Sequence, residues 1–403
     1  MTRGPATAAE IRALVPAARD VEDDVRAILD EVRDGGDAAV RRLTERFDHA
    51  ELAPGELRVP LAEIDAAVGT LEPDVLAGLR TAIANVRAVA EAQLRDPVRV
   101  ELDEGHAVEV DELPVGRAAA YVPAGRAPYP STVVMCATTA QVAAVDELAV
   151  CAPPGPGGLA HPTILAACGL CGVTEVYRMG GAQAIGALAY GTESVPRVDV
   201  IVGPGNRYVT EAKRQVAGVV GIDGLAGPSE LVVVATTGAD PDVVAADLLA
   251  QAEHGPDSLC VAISPDRGLL DAVARATGGR AACVETGDAR AAVRLADEIA
   301  PEHLQLMGEE AESLAGAVRS AGALFVGREA GTAFGDYVAG SNHVLPTGGA
   351  ARFASGLSPA TFRRRMARIS LTPGAAARLA PAGAAIARAE GFPLHGESME
   401  RRA

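Results

Sequence analysis

The spacing of apolar positions changes along this chain, and each change predicts a different kind of element. Between Val21 and Val32 the apolar residues Val21, Val25, Ile28, Leu29 and Val32 fall on one helix face, and the alanine-rich stretch Leu76 to Leu94 repeats the spacing. The chain up to about residue 100 therefore reads as helical packing material. From about residue 117 short apolar runs take over, at Ala118–Val122, Glu147–Cys151, Glu175–Met179, Val198–Val202 and Leu231–Ala235. Helix-like stretches at 131–145, 161–169, 182–190 and 206–218 separate them. Strands alternating with helices predict βαβ units and a parallel sheet. A second alternation follows, with helices near 241–253, 267–277, 288–299 and 308–319 and strands near 259–264 and 322–326.

The expected fold class is α/β: two Rossmann-like parallel-sheet modules plus a small helical C-terminal tail domain. Residues 118–229 form one module in this reading, and residues 1–117 with 230–356 form the other, completed by the N-terminal helices. Past Asp336 the segments Pro346-Thr347-Gly348-Gly349 and Ser355-Gly356 read as loop and linker. The tail, 357–403, is too short to bury a core alone, so it is expected to dock on its own body or on a partner subunit.

Composition narrows the function classes. A length of 403 residues suits two or three domains, and 49% apolar content supplies ample core. Trp is absent, so packing rests on Ala, Val and Leu. A net charge of -17 and a pI near 4.9 oppose binding to a phosphate backbone, which needs a basic footprint. The N-terminus lacks the progression of a signal peptide, and no run reaches the roughly 18 apolar residues of a membrane span. The six cysteines are dispersed, unlike a disulfide scaffold. A soluble cytoplasmic protein is expected. Cys168-Gly169-Leu170-Cys171 has metal spacing, but no second pair or nearby His completes a zinc site, and the run around it is apolar.

Chemistry concentrates in the second half, where four of the seven histidines stand close in sequence to carboxylates. Gln251 and His254 lie three apart near the end of a helical stretch and share a face. Asp336 and His343 are expected on a glycine-rich loop, and with Gln251 and His254 they form a set that suits Zn²⁺. Glu302-His303 pairs a carboxylate with an imidazole, groups able to take and return protons near neutral pH. His49, His106 and His161 have no such company and read as surface or capping residues. In the first module Val122-Pro123-Ala124-Gly125-Arg126, Met179-Gly180-Gly181-Ala182-Gln183 and Val202-Gly203-Pro204-Gly205-Asn206 follow expected strands. Three glycine loops at the carboxyl edge of one parallel sheet predict a ligand cleft, although the strict G-x-G-x-x-G fingerprint is absent.

Taken together these segments resemble the histidinol dehydrogenase family, in order and through nearly the whole chain. The resemblance runs from Val32-Arg33-Asp34-Gly35-Gly36-Asp37, Thr44 and Phe47-Asp48 through Tyr121-Val122-Pro123, Tyr129 to Val133 and Gly180 to Ile185. It continues with Gly203-Pro204-Gly205-Asn206, Val209 to Arg214, Ala226-Gly227-Pro228-Ser229-Glu230 and Asp247 to His254, and closes with Ala300 to Leu304, Gly335-Asp336-Tyr337 and Asn342 to Thr347. It implies a zinc-requiring, four-electron oxidation of L-histidinol to L-histidine, via the aldehyde, with NAD. By motif it implies Glu302 and His303 as catalytic residues, and Gln251, His254, Asp336 and His395 as metal ligands. NAD contacts would be Tyr121, Gln183 and Asn206, and substrate contacts Ser229, His303 and Glu390 with the metal ligands. His343 then moves from the metal set to a neighbouring position. The family also implies a homodimer in which the tail, with Glu390 and His395, reaches the neighbour's site. Alternatives are a zinc and NAD dehydrogenase of another small polar alcohol and a catalytically silent scaffold.

Overall fold

The computed structural model describes residues 7–16, 20–124, 127–155 and 157–403; Gly125 and Arg126, the end of the first glycine loop, lie outside them. The chain opens with helices α1 (Ala8–Arg12), α2 (Glu22–Asp48), α3 (Leu61–Val68) and α4 (Pro73–Glu91), then strands β1 (Val98–Glu101) and β2 (Ala107–Pro114). The first α/β run is β3 (Arg117–Tyr121), α5 (Pro130–Val142), β4 (Glu147–Ala152), α6 (Pro162–Leu170), β5 (Glu175–Arg178), α7 (Gly181–Tyr190), β6 (Val200–Val202), α8 (Arg207–Val216) and β7 (Gly221–Ile222). The second is β8 (Glu230–Ala235), α9 (Pro241–Ala252), β9 (Leu259–Ser264), α10 (Arg267–Ala276), β10 (Ala282–Glu285), α11 (Ala289–Ile299), β11 (His303–Met307), α12 (Glu309–Ser313), β12 (Ala323–Val326) and α13 (Thr332–Tyr337). Strand β13 (Arg363–Ser370) and helices α14 (Pro373–Ala389) and α15 (Pro393–Glu400) close the chain.

Among the described residues there are two five-stranded parallel sheets, ordered β5-β4-β3-β6-β7 and β10-β9-β8-β11-β12. Side chains alternate across each sheet, so each feeds two cores. Ala118, Ala120 and Val150 face one side of the first sheet, while Ala119, Tyr121 and Cys151 face the other. In the second, Val232, Val234 and Leu304 oppose Leu231, Val233 and Met307. Cys168 and Cys171 are buried in the first of these cores as small apolar residues.

Three features differ from the sequence expectation. The N-terminal helices divide between the modules: α2 packs on α7 and α8, α3 on α6 and α4 on α5, all in the first module, while only α1 packs on α11 of the second. An apolar stripe dictates burial but not against which sheet, so the pattern alone did not place them. Helix α2 also bends at Gly36, where φ is +53° and an added Cβ would lie 2.3 Å from the Glu193 carboxylate that accepts the Asp37 N–H. Finally, the tail begins with a strand. The charged run Arg363-Arg364-Arg365 has no strand pattern, but β13 pairs antiparallel with β2 along its length, and Arg365 and Arg368 bond Glu112 and Glu109 across the ladder. With β1 this makes a three-stranded arm carrying α14 and α15. No helix among the described residues is long and apolar enough to cross a membrane.

Candidate active site

The two sheets are used at opposite ends. Glu302 and His303 stand at the amino end of β11, and Glu230 at the amino end of the adjacent β8. Helices α9 and α11 finish at this edge, where their last carbonyls lack helical partners. Such an edge has a negative potential and suits cations.

Glu230 and Glu302 clasp each other through the backbone. The Glu302 carboxylate accepts the Glu230 N–H at 2.8 Å, and the Glu230 carboxylate accepts the Glu302 N–H at 3.1 Å. Glu230 also accepts the Gly348 N–H at 2.9 Å and is ion-paired with Arg12, which further donates to the carbonyls of Ile299 and Ala300. Glu302 has no such cation; burial pushes its carboxyl up to about 7, with nearby Glu230 and Asp336 adding to the effect against the pull of His303.

His303 is oriented by the same strand. Its Nδ1 lies 3.0 Å from the Glu230 carbonyl, which can only accept, so Nδ1 carries a proton. Nε2 faces the Asp336 carboxylate at 3.4 Å, and the ring tilts against Phe325. Burial opposes charge on this imidazole, but Glu302 and Asp336 outweigh it and raise its pKa. For Asp336 burial is likewise outweighed, here by His303, His343 and His254, and its carboxyl is held below the usual range.

Asp336 lies in the last turn of α13, not on the loop expected from its glycine neighbours. A short helix can hold Gly335 because Phe325 closes over it. His343 is on the following loop, with Nδ1 on the Asp336 carbonyl at 2.8 Å and Nε2 3.2 Å from Thr132 Oγ1. Burial lowers its pKa and keeps it neutral, with both nitrogens engaged. Thr132 is on α5, so His343 ties the two modules together; Asn342 does the same by donating to the Met135 carbonyl at 3.1 Å.

Gln251 ends α9, which packs against α13, and His254 follows just past the helix. Gln251 is 2% exposed, yet its side-chain nitrogen has no hydrogen-bond partner. A buried amide nitrogen left unsatisfied is costly and calls for an acceptor, while the oxygen of the same amide is the atom able to meet a cation. Amide, imidazole and carboxylate at a negative edge fit a divalent cation. Among the described residues, however, no three His, Cys, Asp or Glu groups are gathered as a metal site.

The first sheet offers its carboxyl edge, where helices begin and N–H groups point outward. The Tyr121 hydroxyl accepts the Gly181 N–H at 3.2 Å, which leaves its own proton free to donate; burial raises its pKa. Gln183, 1% exposed, donates to Asp48 at 3.4 Å. Asn206 caps α8, its side-chain oxygen accepting the N–H groups of Tyr208 and Val209, so its amide NH₂ is the part that can meet a ligand. Ser229 bonds Leu259 N–H through its carbonyl at the junction of the modules.

Glu390 and His395 are not part of this cluster. Glu390 caps α14, and His395 stacks on Phe392 within the tail, with ring centres 5.3 Å apart. The tail reaches the arm through Arg378, which donates to the Glu104 carbonyl at the β1–β2 turn. His161 caps α6 through Nδ1, and His49 caps α2. The sequence reading gave no role to Arg12, Thr132 or Asp48. Glu230 and Asp48 stood inside quoted motifs, whereas Arg12 left no signal.

The sequence model of the family described as "Histidinol dehydrogenase" matches residues 15–403. Among curated proteins, histidinol dehydrogenase of Cereibacter sphaeroides is 43% identical over 100% of this chain and 97% of its own length. That of Caulobacter vibrioides is 45% identical over 95% of this chain and 92% of its own. The crystal structure of histidinol dehydrogenase from Elizabethkingia anophelis superposes with a TM-score of 0.92 at 32% identity, covering 98% of this chain and 95% of that one.

Proposed function

The chain belongs to the histidinol dehydrogenase family, an NAD-dependent oxidoreductase family that converts histidinol to histidine, and from that premise we propose how its residues divide the work. Oxidising an alcohol to a carboxylate removes four electrons, so the reaction needs two hydride acceptors and passes through the aldehyde. The observation that carries the assignment is the clasped Glu302 beside an oriented His303, at the edge where the two modules join.

The module of residues 118–229 takes the cofactor through Tyr121, Gln183 and Asn206. The module built on 230–356 holds substrate through His303, with Ser229 at its junction with the other module. Gln251, His254 and Asp336, with His395 of the partner subunit, would hold Zn²⁺, and Glu390 of the partner subunit would meet the substrate. When bound, Zn²⁺ supplies a fixed cation that orients the substrate's amine and imidazole, and NAD⁺ supplies the hydride acceptor.

His303 takes the alcohol proton at Nε2 while Nδ1 stays bonded to the Glu230 carbonyl. With Asp336 drawn to a cation, one of the two carboxylates that favour the charged ring would be withdrawn, and Glu302 would remain the other. Glu302 then takes a proton from the water that hydrates the aldehyde, a role suited to a carboxyl whose pKa burial pushes up to about 7. The clasp with the Glu230 N–H fixes which oxygen is bound and leaves the other for water.

A homodimer with exchanged tails is supported by the arm, whose apolar residues stay exposed in one chain: Ile369 is 61%, Ile386 61% and Leu394 73% exposed. The test is NADH yield from limiting L-histidinol. Two NADH per histidinol, lost on chelation and restored by zinc, is expected; one would sink the Glu302 step, and yield indifferent to chelation would sink the metal. For the tail, mixed dimers of Glu302→Gln and His395→Ala chains should regain the yield of two NADH per histidinol, because one of the two sites would then hold neither substitution. Mixtures that never exceed one NADH per histidinol would show that the tail serves its own chain.

A further inference from the structure

Among the 36 Lys and Arg residues of the sequence, Lys213 is the only lysine. Arginine carries the positive charge everywhere else, at surface pairs and at the buried Arg178 alike, so composition alone does not account for a lysine here. Lys213 is 3% exposed on the inner face of α8. Its ammonium donates to the Gly203 carbonyl at 2.5 Å and to Asp223 Oδ1 at 2.6 Å, while Asp223 Oδ2 accepts the Gly203 N–H at 2.7 Å. One ion pair thus grips one glycine by both its backbone groups.

That glycine is where β6 turns into the loop ending at Asn206. Its φ is +105°, and an added Cβ would stand 2.1 Å from the Tyr121 carbonyl. The loop and the end of β3 are therefore packed backbone to backbone. The pair sits in dry surroundings, with the fully buried thiols of Cys136 and Cys151 close enough to feel its charge. Burying an ion pair rarely adds net stability over apolar packing, so its presence calls for a geometric reason. A compact ammonium on a flexible stem can meet two oxygens in a closed space, where a broad planar guanidinium cannot.

We propose that Lys213, with Asp223, is a positioning residue that sets the Gly203–Asn206 loop against Tyr121 for NAD binding, a place where an arginine would displace the loop. The inference rests on reading Asn206 as an NAD contact. Its test compares KM for NAD⁺ with KM for histidinol in Lys213→Arg, Lys213→Met and Asp223→Asn, alongside Asn206→Ala, with calorimetric NAD⁺ binding as a second readout. KM for NAD⁺ should rise roughly tenfold to a hundredfold in the Lys213 variants, as expected when a binding group shifts by a fraction of an ångström to an ångström, while KM for histidinol holds. Lys213→Arg decides the matter, because it keeps the charge and should fold even where Lys213→Met does not. A folded Lys213→Arg enzyme with wild-type NAD⁺ KM, beside a raised KM in Asn206→Ala, overturns the inference and leaves the reading of the loop intact. An unchanged NAD⁺ KM in Asn206→Ala overturns that reading, and the inference with it.

Discussion

The two parallel sheets share an architecture and differ in which end they use. The first offers its carboxyl edge, where helices α7 and α8 start, and three neutral side chains, Tyr121, Gln183 and Asn206, stand there with the single carboxyl of Asp48 bonded to Gln183. The second offers its amino edge, where α9 and α11 finish, and the side chains there are charged or titratable: Glu230, Glu302, His303 and Asp336. Helix starts favour anions and helix ends favour cations. A pyrophosphate therefore suits the first edge, and a metal ion or ammonium the second, before any side chain is considered. Each edge is also braced from behind by an ion pair, the buried Lys213–Asp223 in the first and, in the second, Arg12–Glu230, whose arginine is half-buried. One scaffold, turned end for end, thus presents both edges, the first proposed as the binding edge and the second as the reacting edge.

The largest expected effect lies at the reacting edge. Glu302→Gln should slow the second oxidation by roughly 10²–10⁴-fold, the usual reach of a general base, while the first persists, so that NADH per histidinol falls from two to one. In the wild type, the second step should accelerate as pH rises through about 7, because the base form of Glu302 is the ionised one, and single-turnover rates in Glu302→Gln should lose that rise. Equal slowing of both oxidations would break the division of labour between Glu302 and His303.

Next comes the brace. Arg12→Met leaves Glu230 buried without its cation and should cost roughly 3 kcal/mol, seen as a lower midpoint in denaturant. Here kcat should fall with KM for NAD⁺ unchanged, the opposite of the pattern expected for Lys213. The same KM change in both sets of variants would mean that the edges are not independent.

The smallest effect is at the binding edge. Burial pushes the Asp48 carboxyl up to about 6, so the folded chain holds this proton more tightly than the unfolded chain does. Stability from this group is present in full below the ordinary carboxylate range and is lost as pH rises through about 6. Asp48→Asn should therefore reduce the loss of thermal stability between about pH 4 and pH 8, and the variant should be the more stable at the upper end. An unchanged pH slope in Asp48→Asn would mean that Asp48 is not desolvated against Gln183.

Much of this was legible in the sequence. The strand runs near Ala118, Glu147, Glu175 and Leu231 fell within a residue or two of the observed strands, because apolar period and glycine punctuation are local properties. Strand β13 was not legible, since its arginines become a strand only by pairing with β2. Glu302-His303 was visible as a chemical pair, but its setting was not. Nothing in the words around Glu230 shows that its backbone and side chain hold both Glu302 and His303.

The sequence by itself determined the alternation of strands and helices, the family, and the residue types able to do acid, base and ligand chemistry. These depend on neighbours a few positions away or on ordered motifs. Tertiary structure alone decided that one sheet works at its carboxyl edge and the other at its amino edge, and that α2 to α4 serve the first module. It also decided that Arg12 reaches Glu230 across 218 positions. Those outcomes are set by which surfaces pack together, and burial is a property of the whole chain: no local pattern records what will be brought against it.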